Sequence, residues 1–294
     1  MDWLRYKLIY YLFSLSLMGL GLFNLINWGL KLGVDFRGGA LLEYKINKNF
    51  STEDATQKIE EKQVELQTIQ TVGENSYLFK LAPIDGQKKN EIKMALEELV
   101  GSQIEELRFE NVGPSIGPEL VKKTVYAVVI AAFVILFWIA IQFKSIKFGT
   151  SAVLAMFHDS FILIGLFSLF GHYLGAEVDF LFVTALLTTL SFSVHDTIVV
   201  YDRIRETRSK IGGSMTEMAN KAITETMVRS LNNSFTIIFM LVALILLGGT
   251  TIKWFAIALL IGTISGTYSS PFVAVPLLVT WEEIVKKIKA GKAK

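Results

Sequence analysis

Six long apolar runs constrain what this chain can fold into. They lie at about residues 8–28, 124–142, 148–171, 180–201, 231–248 and 254–281. A helix needs about 20 mostly apolar residues to cross a bilayer. In lipid, each backbone N–H and C=O must be satisfied within the structure, so such runs are read as helices. The 52% hydrophobic content of the 294-residue chain is concentrated in these blocks. The expected fold is a membrane all-α bundle of six transmembrane helices. The first run lacks a small-x-small cleavage site and is read as an uncleaved anchor.

Basic residues predict the orientation. Arg5 and Lys7 precede the first run, and Lys144 and Lys147 separate the second from the third. Arg203, Arg205, Arg208, Lys210 and Lys221 separate the fourth from the fifth, and five lysines follow the sixth. The link between runs three and four carries Glu177 and Asp179 and no basic residue. This alternation puts both termini in the cytoplasm, with Lys253 as the one exception. Trp3, Trp28, Trp254 and Trp281 suit membrane interfaces.

Residues 32–120 break the apolar pattern and are expected outside the cytoplasm. Strands are predicted at 39–46, 65–72, 76–81 and 103–110, and helices at 52–63 and 85–100. The order β-α-β-β-α-β predicts an α+β ferredoxin-like domain. The expected organisation is residues 1–31 as N-terminus and first helix, 32–120 as external domain, 121–281 as helices two to six, and 282–294 as a basic tail. The chain has no cysteine, so disulfides and thiolate chemistry are excluded. Its three histidines show no metal-ligand spacing. No nucleophile–base pair or phosphate loop is evident, and no enzyme activity, cofactor, metal or nucleic-acid partner is expected.

Ionisable groups inside the apolar runs are the candidate functional residues, because charge at membrane depth is costly. Asp159 lies near the middle of the third run, next to His158. Asp196 lies in the fourth, next to His195. Thr189, Ser193 and Asp196 share one helical face, and Thr184, Thr188, Ser191 and His195 form a neighbouring stripe. Arg229 is expected to open the fifth helix at a depth similar to that of Asp196, where each would offset the other's charge. Asp196 reads as a proton-binding carboxylate, or alternatively as half of a static ion pair. Asp159 reads as a relay or partner contact, or as a helix–helix hydrogen bond. His195 could titrate near neutral pH or bond across helices. Gly262 and Gly266 permit close packing, and Pro271 and Pro276 are expected to bend the last helix.

Four motifs carry a family resemblance. They are Val34-Asp35-Phe36-Arg37-Gly38-Gly39, the run from Asn111 to Gly117, Phe157-His158-Asp159, and the run from Asp196 through Asp202, Arg203 and Arg205 to Glu206. In order and spacing they resemble the SecD/SecF family of bacterial protein-export membrane proteins, within the resistance-nodulation-division superfamily. The single small external region is similar to that of the SecF branch. His195 departs from the small polar residue more usual there.

The resemblance implies a subunit of the bacterial cytoplasmic membrane that uses the proton-motive force to assist protein export. It implies SecD, the SecY, SecE and SecG channel, exported unfolded polypeptide and membrane lipid as partners. It matches Asp196 and Arg229 to charged positions implicated in proton transfer, with Asp159 and His195 as further candidates. Asp35, Phe36, Arg37, Gly38 and Gly39 are read as a structural hinge. Asp202, Arg203 and Arg205 are read as an interfacial ion network. The alternatives are a scaffold that moves no protons and half of a small-molecule exporter.

The orientation is directly testable, because cysteines can be introduced into a cysteine-free chain. In intact cells, a membrane-impermeant thiol reagent should label a cysteine at Asn75 and spare one at Ser209. The reverse pattern would invert the topology.

Overall fold

The computed structural model describes residues 1–73, 75–113, 116–210 and 213–292. Glu74 of the expected hairpin turn, Pro114 and Ser115 of the motif before the second run, and Ala293 and Lys294 of the tail lie outside the described residues. Among the described residues, six helical segments are long and apolar enough to cross a membrane. They are α1 (Lys7–Trp28), α5 (Ile116–Gln142), α6 (Ile146–Leu174), α7 (Phe180–Lys210), α8 (Met215–Leu247), and a last span built of α9 (Thr250–Ser269), a π-helical turn (Ser270–Ala274) and α10 (Val275–Lys292). α6, α7 and the last span form the buried centre, and α1, α5 and α8 stand at the rim.

Small residues set the spacing of the central helices. Gly262 of α9 faces Thr189 of α7, and a Cβ on Gly262 would lie 1.9 Å from Thr189 Cγ2. One turn on, Gly266 meets Ser193. Gly165 of α6 crosses Gly21 of α1, where a Cβ on Gly165 would lie 2.4 Å from the Gly21 Cα. Asn24 Nδ2 donates to the Gly165 carbonyl at 3.2 Å and locks that crossing.

Two helix limits differ from expectation. α8 begins at Met215, well before the apolar run. Ser214 Oγ accepts from Glu217 N, Glu217 Oε2 accepts from Ser214 N, and this capping box starts the helix early. The first turns of α8 then bury Met218, Ala219, Ala222 and Ile223. Arg229 therefore lies inside a continuous helix and does not open it. Likewise α7 continues past Tyr201 to Lys210. The last span does not break at Pro271 but widens into the π turn, which absorbs the missing N–H.

Between α1 and α5 lie a short helix α2 (Val34–Arg37) and a sheet domain. The domain contains β1 (Gly39–Lys45), α3 (Thr52–Glu60), β2 (Leu66–Gly73), β3 (Ser76–Leu81), α4 (Gly86–Val100) and β4 (Glu105–Val112). Ser51 and Asp85 cap the two longer helices through their side-chain oxygens. The strands form an antiparallel sheet in the order β2-β3-β1-β4. One sheet face buries Leu42, Tyr44, Phe79 and Leu81 against Ile59, Ile92 and Leu96 of α3 and α4. The opposite face looks onto the α6–α7 connection across a cleft of about 490 Å³.

The junction of domain and bundle is where residues 34–39 act. Asp35 Oδ2 accepts from Phe180 N at 2.9 Å, and Asp179 Oδ1 accepts from Phe182 N at 2.7 Å. Both carboxylates thus serve free N–H groups at the start of α7. Burial raises the Asp179 carboxyl above its ordinary pKa, and Asp35 and Glu177 add to the effect. Phe36 is buried against Phe180, while Arg37 is exposed. Gly38 and Gly39 turn the chain at φ 79° and 148°. Lys80 of β3 pairs with Glu177 at 2.6 Å and ties the sheet to the bundle.

The α7–α9 contact predicts an asymmetry between two glycines. Gly262→Ala must displace Thr189 and should cost about 1–3 kcal/mol. Gly19→Ala, in α1 with nothing near its added methyl, should be neutral or slightly stabilising. Thermal melts in mild detergent would separate the two.

Candidate functional site

The centre of the bundle holds two carboxylates in different surroundings. Asp159, on α6, is 3% exposed. Ser265 and Ser269 sit four residues apart on α9 and share a face. Their hydroxyls donate to Asp159 Oδ1 and Oδ2, each at 2.5 Å. Ser193 of α7 donates to Oδ2 at 2.6 Å. His158 Nδ1 lies 3.0 Å from Oδ1. Each carboxylate oxygen thus has two partners, and three helices meet on one side chain.

The polar chain continues past the carboxylate along the last span. Ser270, at the π turn, bonds Thr197 Oγ1 at 2.9 Å and donates to the Ser193 carbonyl at 3.3 Å. Tyr201 OH bonds Ser151 Oγ at 2.6 Å and donates to the Ala274 carbonyl at 3.2 Å. These hydroxyls tie the π turn to α7 and α6, with Tyr201 reaching its backbone at the Ala274 carbonyl.

Asp196 follows Ser193 by one turn of α7 and is 4% exposed. Among the described residues its one hydrogen-bond partner is Ser230 of α8, which donates to Oδ2 at 2.5 Å. The expected compensation between Asp196 and Arg229 is not present. Adjacent residues on a helix point about 100° apart, so with Ser230 turned to α7, Arg229 projects from the side of α8. It is exposed and forms no ion pair with a described residue. A turn further along, Ser234 bonds Thr267 of α9 at 2.6 Å.

Next to Asp196 runs an uncovered polar surface. Thr184, Thr188, Ser191 and His195 are exposed on α7, and Arg229, Asn232, Asn233 and Thr236 are exposed on α8. Thr184, Thr188 and Thr236 satisfy their hydroxyls on their own helices, four residues back. Among the described residues, His195 and Arg229 show no hydrogen bond of this kind.

At the terminal end of the bundle, charged groups fasten helices together. Arg203 bridges Glu206 and Glu225, joining α7 to α8. Arg205 pairs with Asp202, donates to the Gln142 carbonyl of α5 and lies over the Phe143 ring. Lys7 and Lys147 pair with Glu283 and Glu282 of α10. Ser230, Ser265 and Ser269 were not singled out from the sequence. The signal for the last two lay in the Gly262–Gly266 spacing, because the face that packs closely on α7 also carries their hydroxyls.

Comparison with known proteins is consistent across sequence and structure. Residues 91–284 match the family model described as protein export membrane protein SecD/SecF, C-terminal. The chain is 39% identical over 297 residues to the protein translocase subunit SecF of Thermobaculum terrenum, covering 96% of this chain and 94% of that protein. It is 34% identical over 275 residues to the protein translocase subunit SecDF of Thermus thermophilus, covering 90% of this chain and 36% of the longer protein. The crystal structure of SecDF from Thermus thermophilus, described as a translocon-associated membrane protein, is similar with a TM-score of 0.81 and 31% identity. That match covers 96% of this chain and 39% of the SecDF chain.

Proposed function

This chain belongs to the SecD/SecF family of protein-export membrane proteins, and from that premise we propose that it acts with SecD to couple the proton-motive force to protein export. It is a multi-pass membrane protein and a Sec translocase subunit. The observation that carries the proton reading is Asp196, a buried carboxylate held by one hydroxyl beside an exposed polar surface. Charge and polar groups at membrane depth face protein or water rather than acyl chains.

SecD is the proposed cover for that surface. In relatives from Thermus thermophilus and Bacillus subtilis the two subunits are named as one chain, SecDF. The exposed residues Thr188, Ser191, His195, Arg229 and Asn233 would then line the contact between the subunits. In this reading Asp196 gains and loses a proton, and His195 passes it along the interface. A rotation of α8 exchanges Ser230 for Arg229 at the carboxylate and favours release. The wider assembly includes the SecY, SecE and SecG channel and the exported polypeptide.

The proposed topology has both termini in the cytoplasm and residues 32–120 outside it. The basic loops and both chain ends share one end of the bundle, as the Lys7–Glu283 and Lys147–Glu282 pairs illustrate. The sheet domain is read as ferredoxin-like, which its β2-β3-β1-β4 order supports. Seated on the start of α7, it is positioned to link events outside the membrane to the helix that bears Asp196.

Asp196→Asn tests the mechanism, because it keeps size and hydrogen bonding but cannot ionise. In a folded complex with SecD it should abolish proton-dependent export and proton flux. Arg229→Ala should reduce both at least about tenfold, equivalent to roughly 1.4 kcal/mol. Normal export and flux in folded, SecD-bound Asp196→Asn would remove the residue from the mechanism and leave a scaffold that moves no protons.

A further inference from the structure

The His158 ring contains a buried polar atom that no role above uses. His158 is 4% exposed, and its Nε2 has no hydrogen-bond partner among the described residues. Its Nδ1 faces Asp159 Oδ1 at 3.0 Å. A carboxylate accepts and does not donate, so Nδ1 carries the hydrogen. In the neutral ring Nε2 is then a bare lone pair. The carboxylate itself has little room for a proton, because Ser193, Ser265, Ser269 and His158 already occupy both oxygens.

Among the described residues, the surroundings supply no compensating charge. α6 packs against α1, α5, α7, α9, the π turn and α10. On α1, Lys7 is engaged by Glu283. On α5, Lys123 is engaged by Glu119 at the far end. On α10, Glu282 is held by Lys147. On α7 the charged neighbour is Asp196, of like sign and bonded to Ser230. On α9, Tyr268 has its ring 6.3 Å from His158, but its hydroxyl is directed to Ser14 Oγ and the Tyr10 carbonyl. With a neutral imidazole the His158–Asp159 couple thus leaves one negative charge buried among helices, an arrangement that is costly without a cation.

We infer that His158 and Asp159 together hold one exchangeable proton, which lands on His158 Nε2, at a site separate from Asp196. A hydronium ion of the acidified solvent gives up the proton: one of its O–H bonds breaks as the N–H bond forms at Nε2, a neutral water is left, and the Nδ1–H stays donated to Asp159. The couple passes from a charge of minus one to zero, and its titration belongs to the pair rather than to either residue. Because Asp159 also joins α6 to α7 and α9, that change of charge acts at the point where the central helices meet. Its use in transport rests on the proton-driven reading above, whereas the protonation itself does not.

Nitrogen-15 NMR of histidine-labelled protein, in complex with SecD in lipid nanodiscs, reads this directly. The chain has three histidines, and His158→Gln assigns the signal. The expected spectrum at high pH shows His158 protonated at Nδ1 and bare at Nε2. Acidification should protonate Nε2, and Asp159→Asn should displace the midpoint of that change by about one pH unit or more. Ser265→Ala, which removes one donor to Oδ1, offers a second variant and should also displace it. A ring protonated at Nε2 throughout, a ring neutral throughout, or a midpoint indifferent to both variants would overturn the inference. Loss of export in Asp196→Asn bears on the proton-driven reading and leaves this measurement untouched.

Discussion

The carboxylate of Asp159, shared among serines of two neighbouring helices, is the interaction on which the centre of this bundle depends. A membrane interior offers little hydrophobic drive for helix association, so packing and interhelical hydrogen bonds must hold helices together. Here one acid on α6 gathers Ser193 from α7 and Ser265 and Ser269 from α9. Those bonds require close approach, which Gly262 and Gly266 allow. They also sit directly before the π turn, which Ser270 joins to Thr197 and the Ser193 carbonyl of α7 and Tyr201 joins at the Ala274 carbonyl. Small residues, hydroxyls and the π turn of the last span form one arrangement.

α7 connects that arrangement to everything else. Its start is capped by Asp35 and Asp179 beneath the sheet domain. Its middle is held at Ser193 against Asp159. One turn further, Asp196 has Ser230 as its one hydrogen-bond partner among the described residues, beside the exposed polar faces of α7 and α8. Its end is fastened by Arg203 and Arg205 to α8 and α5. A single helix therefore runs from the sheet domain, past an anchored acid and a lightly held one, to the terminal end of the bundle. In the proposed account, a proton arriving at the lightly held acid changes what α8 presents to α7, and α7 carries the change towards the domain.

The spans were legible in the sequence because lipid imposes a requirement on every backbone group, and long apolar runs are its direct imprint. The strands and helices of the sheet domain were legible for a different reason. Alternation, Ser51 and Asp85 as caps, and glycines at turns act locally. The start of α8 was not legible from hydropathy, because a capping box and an amphipathic first segment begin the helix before its apolar run. The meeting of Asp196 with Ser230 was equally hidden. Depth along a helix can be counted from sequence, but rotation about its axis is set by packing against neighbours, and one residue of phase moved Arg229 to the outside. The serines around Asp159 come from helices far apart in the chain, so no local pattern names them as a group.

The central claim is that the two acids divide the work, with Asp159 the anchor that joins three helices and Asp196 the carboxyl that exchanges protons. Infrared difference spectroscopy on the SecD-bound protein in lipid, stepped from alkaline to acidic pH, addresses it directly by detecting a newly protonated carboxyl group. The account predicts a carboxylic-acid band that is lost in Asp196→Asn and persists in a folded Asp159→Asn. A band that survives in Asp196→Asn and disappears in Asp159→Asn would contradict it.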